Sequence, residues 1–222
     1  MERIFANLYR FVDEPFHKGK KYSYLLLRKQ GNLMLCHFKR PCSVTEHFDE
    51  IERLGGVHAQ FVTHNHESTS IHDQFHARFG CKLYYHKAER AAVRRKSKCA
   101  SEVFGDDGLQ LDTDFQAVFF PGDTPGTTIY RWRYRGKHLW FTGHVANLVD
   151  GDWRIRLKPN SKPQLRSQFA ELPKLPVDYV FPCRTHYGLE EFYRLTDETR
   201  KSFRKTLKGI LKASQDQSAG NS

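Results

Sequence analysis

The most constraining feature of the chain is residues 61–67, Phe-Val-Thr-His-Asn-His-Glu, where an apolar run turns into two histidines one residue apart. Residues 57–62 predict a buried strand, and side chains two residues apart on a strand point to the same face. We therefore expect His64 and His66 to project together from the end of this strand, as half of a metal site. A chain with 12 histidines also produces such a pair by chance, so the elements that follow decide its weight.

Length and composition indicate a globular protein. The 222 residues suffice for a sizeable core, and 39% of them are hydrophobic and 14% aromatic, which excludes a disordered chain. No apolar run approaches the roughly 18 residues of a membrane-spanning helix, and the N-terminus lacks the segments of a signal peptide. These observations predict a cytoplasmic protein with no membrane partner.

The cysteines argue against a thiolate metal site. They are scattered, and no two of them form a Cys-x-x-Cys pair: Cys36, Cys42, Cys81, Cys99 and Cys183. This spacing fits reduced thiols rather than a disulfide framework. A metal in this chain would have to be held by histidine and carboxylate side chains.

The formal net charge of +11 favours anionic partners, which include small anionic substrates and nucleic acids. Much of the positive charge lies in residues 87–98 and 200–212. We interpret these segments either as solvated helix faces or as a nucleic-acid surface. A steep loss of nucleic-acid affinity with salt would be the signature of the second interpretation. The sequence does not predict an oligomeric state.

The first half of the chain alternates between strand and helix, which favours a layered α/β architecture. The predicted elements are a β-hairpin, a helix, a strand, a helix, a strand and the start of a helix, at residues 22–36, 45–54, 57–62, 71–79, 81–85 and 86–90. Ile71, Phe75 and Phe79 share one face of the second helix, and Gly80 is expected to end it.

The second half predicts further strands at residues 116–120, 127–134, 138–142 and 177–181, with helices at 162–172 and 190–213 and a loop at 183–188. Two β-rich halves with helices on each outer side would make a four-layer αββα sandwich. We expect one domain over residues 1–214 and a disordered polar tail over residues 215–222.

Several motifs follow one another along residues 22–188. After the opening hairpin come Thr-His-Asn-His-Glu-Ser-Thr (63–69), Phe-Gly-Cys-Lys-Leu-Tyr-Tyr-His (79–86), Pro-Gly-Asp-Thr-Pro-Gly (121–126), Leu-Trp-Phe-Thr-Gly-His (139–144) and Phe-Pro-Cys-Arg-Thr-His (181–186). In this order they resemble the motifs of metallo-β-lactamase-fold hydrolases, so the chain is identified as a divergent member with altered metal motifs. The resemblance implies an αββα fold and metal-dependent hydrolysis.

The departures from the family's motifs weaken its second metal position. Ser68 and Thr69 stand where the family has an aspartate and a histidine that hold the second metal. In the last motif Arg184 stands at the ligand position, and His186 follows two residues later. The resemblance therefore implies that the second half of a binuclear centre has lost two ligands and carries Arg184 or His186 at a third.

The first metal position, in contrast, keeps its set of ligand types. Its four ligand positions carry His64, His66, Asp123 and His144, where the family has His, His, His and Asp. The last two types are exchanged, but three imidazoles and one carboxylate remain. The resemblance implies one divalent metal ion at these four residues, with no metal and two metals as the alternatives. This ligand set suits zinc, iron, nickel or manganese, and zinc is our first choice.

A bound metal would activate a water molecule and polarise a carbonyl or phosphoryl oxygen. The implied activity is hydrolysis of a small anionic substrate, such as a thioester, a lactone, a β-lactam or a phosphodiester. Asp123 is a candidate general base or orienting group, and His186 is a candidate ligand or proton donor. Arg184 and Tyr187 are candidates for binding the substrate.

Other interpretations stay open. A catalytically inactive binding or regulatory protein of the same fold would explain the altered second metal position. The family also contains iron oxygenases that act on sulfur compounds with a single metal. His72 and His76, four residues apart on a predicted helix, are a weaker candidate pair of ligands, and His37 is a candidate neighbour of the site.

Overall fold

The computed structural model describes residues 1–16, 19–36, 44–120, 122–149, 152–155, 171–186 and 189–219. Within these residues two mixed β-sheets pack face to face, with helices on their outer sides. The helices are α1 (Phe48–Arg53), α2 (Ile71–Phe79), α3 (Arg90–Lys96) and α4 (Asp197–Ala219). Short 3₁₀ helices cover Thr45–His47, Asn65–Glu67, Lys87–Glu89 and Leu172–Lys174.

The first sheet contains mainly the N-terminal half of the chain. Its strands are β1 (Glu2–Phe5), β2 (Leu8–Phe16), β3 (Gly19–Leu26), β4 (Leu33–Cys36), β5 (Ala59–Val62), β6 (Lys82–His86), β7 (Ser101–Phe104) and β15 (Arg184–His186). β1 to β7 follow one another in space, and β15 pairs with β3. The strands are antiparallel up to β4 and parallel from β4 to β7, because helical crossovers join the later strands.

The second sheet has the spatial order β16-β14-β11-β10-β9-β8. Its strands are β8 (Leu109–Gln110), β9 (Phe115–Phe119), β10 (Thr128–Tyr134), β11 (Lys137–Gly143), β14 (Tyr179–Pro182) and β16 (Tyr193–Arg194). β11 and β14 are parallel, and the other pairs are antiparallel. A separate two-stranded ribbon consists of β12 (Ala146–Val149) and β13 (Asp152–Ile155).

Among the residues that the structure describes, three apolar clusters hold the layers together. In the first, Phe75 of α2 and Val93 of α3 pack on the first sheet. The second lies between the sheets, where the rings of Phe61 and Tyr130 have their centroids 5.2 Å apart. The third packs Phe203 of α4 on the second sheet. The order helices, sheet, sheet, helix confirms the predicted four-layer αββα sandwich.

β5 leads the chain to the histidine pair. All four of its residues are buried, with Phe61 in the cluster between the sheets and Val62 in the cluster under the helices. This alternation is typical of a parallel strand covered on both faces. The following helix α2 ends at Gly80, whose φ of 68° is left-handed, as the sequence predicted.

The predicted loop at residues 183–188 was wrong for residues 184–186, which form β15. This strand pairs with β3, and between its outer residues the buried Thr185 lies with its Oγ1 2.8 Å from the hydroxyl of Tyr22. A three-residue strand with two charged or polar ends gives little signal in a sequence, because its partner lies far away in the chain. Gly188 and Tyr187 lie outside the described residues.

The C-terminal helix also differs from the prediction. It begins at Asp197 rather than residue 190, because the preceding Tyr193–Arg194 pairs with β14 as a strand. It continues to Ala219, so the predicted disordered tail over residues 215–222 is helical up to that residue. No glycine or proline occurs between Ile210 and Ala219 to end the helix earlier. Most of the predicted helix at 162–172 lies outside the described residues.

Among the described residues, no helix combines the length and the apolar character needed to cross a membrane.

Candidate metal centre

Loops from both sheets meet at the candidate metal centre. His64 follows β5 of the first sheet, whereas Asp123 and His144 follow β9 and β11 of the second sheet. The backbone N–H of Thr128 donates to the carbonyl of Thr63 at 2.8 Å, which ties the two sheets together beside the site. The packing of the two sheets therefore brings these side chains together although they are far apart in the sequence.

One carboxylate oxygen lies at the middle of the group. The Oδ2 atom of Asp123 is 3.5 Å from Nε2 of His64, 3.6 Å from Nδ1 of His66 and 3.7 Å from Nδ1 of His144. The ligand atoms of His64, Asp123 and His144 all lie within 4.8 Å of one another. His64 and Asp123 are buried, His144 is half-buried, and His66 is exposed over 51% of its side chain.

These spacings fit a shared metal ion. A hydrogen bond from nitrogen to oxygen spans about 2.7–3.2 Å, which is shorter than the three distances to Asp123. Neighbouring ligands of a tetrahedral zinc ion, with bonds of about 2.0–2.2 Å, lie about 3.4 Å apart. Imidazole and carboxylate are also common ligands of zinc, iron and manganese. The residues present therefore fit a divalent metal ion.

Glu67 orients His64 through Thr63. The fully buried Glu67 carboxylate accepts hydrogen bonds from the backbone N–H of Thr63 at 2.5 Å and from its hydroxyl at 2.7 Å. The same Thr63 Oγ1 lies 2.9 Å from Nδ1 of His64. Because the hydroxyl proton points to Glu67, Nδ1–H of His64 must donate to Thr63. Nε2 then carries the lone pair on the side of Asp123, which is the tautomer that a metal ligand needs.

Gly143 allows His144 to approach Thr63 and His64. Its φ is 58°, and a Cβ atom at this position would lie 2.3 Å from Thr63 Oγ1. A larger residue would displace the hydroxyl that orients His64. The glycine in the Thr-Gly-His motif therefore has a steric role in bringing the ligand after β11 against the ligand after β5.

A second buried carboxylate, Glu89, joins the two loops that carry the ligands. It accepts hydrogen bonds from the backbone and side-chain N–H groups of Asn65, which lies between the two histidines of the motif. It also accepts from Thr124 Oγ1 at 2.5 Å and from Gly126 N at 2.6 Å. A Cβ at Gly126 would lie 2.6 Å from Glu89 Cγ. Glu89 therefore fixes the histidine loop relative to Asp123.

The strand geometry predicted for the histidine pair was wrong. β5 ends at Val62, and His66 lies on the 3₁₀ turn Asn65–Glu67 rather than on a strand. The turn forms because the carboxylate of its last residue bonds back to Thr63. His66 stays close to His64, with ring centroids 5.2 Å apart, but it does not belong to the mutually close group of three. Its role as a ligand stays a prediction.

Comparison with known proteins identifies the fold. No family model matches the sequence, and no curated protein sequence matches it. Solved structures of metallo-β-lactamases do match it. One is a B3 metallo-β-lactamase with an active-site glutamic acid, with a TM-score of 0.63 and 15% identity over 98% of this chain and 91% of that one. This chain has the metallo-β-lactamase fold.

Two further structures support the same conclusion. A metallo-β-lactamase with a HARLDQ motif from Cronobacter sakazakii gives a TM-score of 0.61 and 17% identity, over 96% of this chain and 98% of that one. MEM-A1, a subclass B3 metallo-β-lactamase from a soil metagenome library, gives a TM-score of 0.59 and 13% identity, over 100% of this chain and 97% of that one. These matches confirm the resemblance found in the motifs. At such identities they show the fold alone, so the chemistry must be argued from the residues of this metallo-β-lactamase-fold protein.

The residues at the second metal position serve the local backbone. Ser68 Oγ donates to the carbonyl of Asn65 at 2.7 Å, and Thr69 Oγ1 accepts from the N–H of Ile71 at 3.2 Å, at the start of α2. Within the part of the chain that the structure describes, the group around Asp123 is the one cluster of three or more side chains suited to hold a metal. The structure thus favours one metal position over two.

Two other predicted site residues, Arg184 and His186, lie on β15. Arg184 is half-buried and His186 is exposed. They share one face of the strand, opposite the buried Thr185. His186 does not belong to the group of three candidate ligands. Tyr187, like His37, lies outside the described residues. The catalytic and substrate-binding roles of these residues stay predictions.

His72 and His76 each make a hydrogen bond within the protein. The ring of His72 is fully buried, with Nδ1 2.9 Å from Oε1 of Gln60. Nδ1 of His76 donates to the carbonyl of Cys81 at 3.0 Å. Burial lowers the pKa of His72 to about 4, so its ring is neutral at pH 7. Both contacts pack α2 against the first sheet.

Thr63, Glu67 and Glu89 were missed by the sequence analysis. A signal for the first two exists, because a threonine and a glutamate flank the histidine pair within the motif itself. Glu89 has a weaker signal, an isolated acidic residue at the start of a basic segment. Two of its partners, Thr124 and Gly126, follow 35 and 37 residues later in the chain, so only the fold shows what Glu89 joins.

Proposed function

We propose that this metallo-β-lactamase-fold protein is a hydrolase that uses one divalent metal ion and one metal-activated water molecule. The observation that carries the proposal is the group of His64, Asp123 and His144, whose ligand atoms lie within 4.8 Å of one another. We add His66 as the fourth ligand, because its Nδ1 is 3.6 Å from Asp123. Zinc is the metal proposed first, with iron and manganese as alternatives.

A metal held by these residues supplies a Lewis acid and lowers the pKa of its bound water toward about 7. The residues around the metal position orient its ligands and the water molecule. Thr63 and Glu67 hold the ring of His64 in one tautomer, and we assign Asp123 the further role of orienting the attacking water. His186 is proposed as proton donor to the leaving group.

The proposed substrate is a small anionic thioester, lactone or related ester. A single Lewis acid next to one carboxylate suits attack of water on an activated carbonyl. The net charge of +11 supports an anionic substrate, and we propose that Arg184 and Tyr187 bind its negative group. The cytoplasmic location expected from the sequence is consistent with such a metabolite.

Turnover of a panel of anionic thioesters and lactones by the metal-loaded protein tests the proposal. We expect hydrolysis that falls by about 100-fold or more in Asp123→Asn, because metal ligation and water orientation are both weakened. Asp107→Asn is the matched control, since Asp107 is exposed and outside the metal group. Equal turnover in the two variants would contradict the assignment.

The alternative is a catalytically inactive binding or regulatory protein of this fold. This alternative is supported by the local hydrogen bonds of Ser68 and Thr69. These two residues replace the ligands that hold the family's second metal. A protein that binds one equivalent of metal but turns over neither thioesters nor lactones would support this alternative.

A further inference from the structure

A cavity lies between α3 and the edge of the first sheet. Its volume is about 320 Å³, and its lining residues are Tyr85, Arg90, Arg94, Ser101, Glu102 and Val103. Tyr85 and Val103 belong to the apolar cluster that packs α3 on the sheet, so this part of the wall is part of the core. None of the lining residues is a candidate metal ligand. The cavity is a separate feature of the molecule.

Two exposed arginines of one helix line the cavity. Arg90 and Arg94 are four residues apart on α3 and therefore share a face, with the buried Val93 between them turned to the sheet. Like charges at this spacing repel each other. The acidic lining residue, Glu102, forms its ion pair with Lys82 at 2.7 Å. Within the described residues neither arginine pairs with a carboxylate.

Two residues with hydroxyl groups line the same cavity. The hydroxyl of Tyr85 is 3.2 Å from Oγ of Ser101, on the neighbouring strand, and both residues line the cavity. Each hydroxyl both donates and accepts. The cavity thus combines two positive charges with a pair of hydroxyl groups that share one hydrogen bond and keep one proton to donate to a ligand.

We propose that this cavity binds the phosphate group of a small phosphomonoester. A phosphate dianion matches the two guanidinium charges and takes hydrogen bonds from several directions, whereas a single carboxylate would match only one charge. The volume of about 320 Å³ is at the lower end of the roughly 300–1,000 Å³ typical of small-molecule sites, which leaves room for a compact organic part. The proposal does not depend on the metal centre or on the proposed hydrolysis.

Titration of the full-length protein with inorganic phosphate tests the proposal, with ionic strength held constant by chloride and amide shifts followed by NMR. We expect saturable shifts at Tyr85 and along Ser101–Phe104. Arg94→Gln should weaken phosphate binding by about tenfold or more, because a charge-assisted hydrogen bond is lost. Arg95→Gln is the matched control, since Arg95 is exposed on the same helix but does not line the cavity, and it should keep the full affinity.

The His144→Ala variant separates this site from the metal centre, and phosphate binding at the cavity should persist in it. Three results would overturn the proposal. The first is no saturable shift beyond that caused by chloride. The second is a set of shifts confined to the residues around His64 and His144. The third is an equal loss of affinity in Arg94→Gln and Arg95→Gln, which would show a diffuse basic surface instead of a binding cavity.

Discussion

Two fully buried histidines, His64 and His72, differ in what surrounds them. Nε2 of His64 faces the carboxylate of Asp123 at 3.5 Å, and its Nδ1 is held by Thr63. Nδ1 of His72 faces the neutral amide of Gln60 at 2.9 Å. Both rings are removed from water to the same extent, but at His64 a carboxylate oxygen faces Nε2. At His72 burial lowers the pKa more than the charges of Asp73 and Glu67 raise it.

Burial alone therefore does not make a histidine functional. Burial is the largest influence on His72 and lowers its pKa to about 4, so this ring stays neutral and packs as part of the core. His64 has a carboxylate beside it, a fixed tautomer and His144 with a ring centroid 4.7 Å away. Such neighbours are what a buried metal ligand requires.

Removing the Glu67 carboxylate should take away the fixed tautomer that distinguishes His64 as a metal ligand. In Glu67→Ala the backbone N–H and hydroxyl of Thr63 lose their acceptor inside the protein, and His64 loses its fixed tautomer. We expect metal affinity to fall by about 10–100-fold and the free energy of unfolding to fall by roughly 2–4 kcal/mol. Metal titration and chemical denaturation measure the two effects. Glu46→Ala, at an exposed position, is the control, and an equal effect in it would refute the role of Glu67.

The neutral state of His72 predicts a pH dependence of stability. Its pKa is lowered from 6.5 to about 4 in the fold, so the unfolded chain binds the proton more readily. The contribution of neutral His72 to the free energy of unfolding is complete above pH 6.5. It is lost as the pH falls toward 4, by roughly 3 kcal/mol in total. His72→Gln should flatten the stability curve between these values. If the curve falls as steeply in His72→Gln as in exposed His58→Gln, His72 is not its cause.

Glu89→Gln tests whether the hydrogen bonds of Glu89 to the two ligand loops affect metal binding. A neutral amide still accepts hydrogen bonds but more weakly than a carboxylate, and it brings donors toward Thr124 and Gly126. We expect metal affinity to fall by about tenfold with the ligands themselves unchanged. Isothermal titration of the metal-free protein with zinc measures this effect. An unchanged affinity would mean that the loops are held by the sheets alone.

Restoring the family's residues at the second metal position has the smallest expected effect on the existing site. Ser68→Asp combined with Thr69→His should raise the metal content toward two equivalents per chain, because a carboxylate and an imidazole, both common metal ligands, are then added shortly after the histidine pair in the chain. Elemental analysis of the double variant measures this. A content that stays at one equivalent would show that the position has been lost through more than these two residues.

The elements that the sequence predicted well are those with local signals. The hairpin of β3 and β4 follows from two apolar runs around a turn, and the end of α2 follows from Gly80. The order of the motifs predicted the fold and brought together three of the four candidate ligands, His64, Asp123 and His144. A motif carries this information because the loops that follow the strands of this fold meet at one place.

The elements that escaped prediction depend on distant partners. β15 has three residues and is a strand because it pairs with β3, which lies far away in the chain. Glu89 looks like an ordinary surface acid in the sequence, and only the fold buries it against Thr124 and Gly126. The position of His66 depends on a turn that Glu67 closes by bonding back to Thr63, which strand periodicity does not show.

The most direct test of the account is the metal content of the purified, tag-free protein beside its His144→Ala and His58→Ala variants. We expect about one equivalent of zinc, iron or manganese in the unchanged protein. We expect the same content in His58→Ala, where an exposed histidine is removed, and loss of the metal in His144→Ala. No metal in any of the three proteins after reconstitution, or full metal content in His144→Ala, would refute the proposed metal centre.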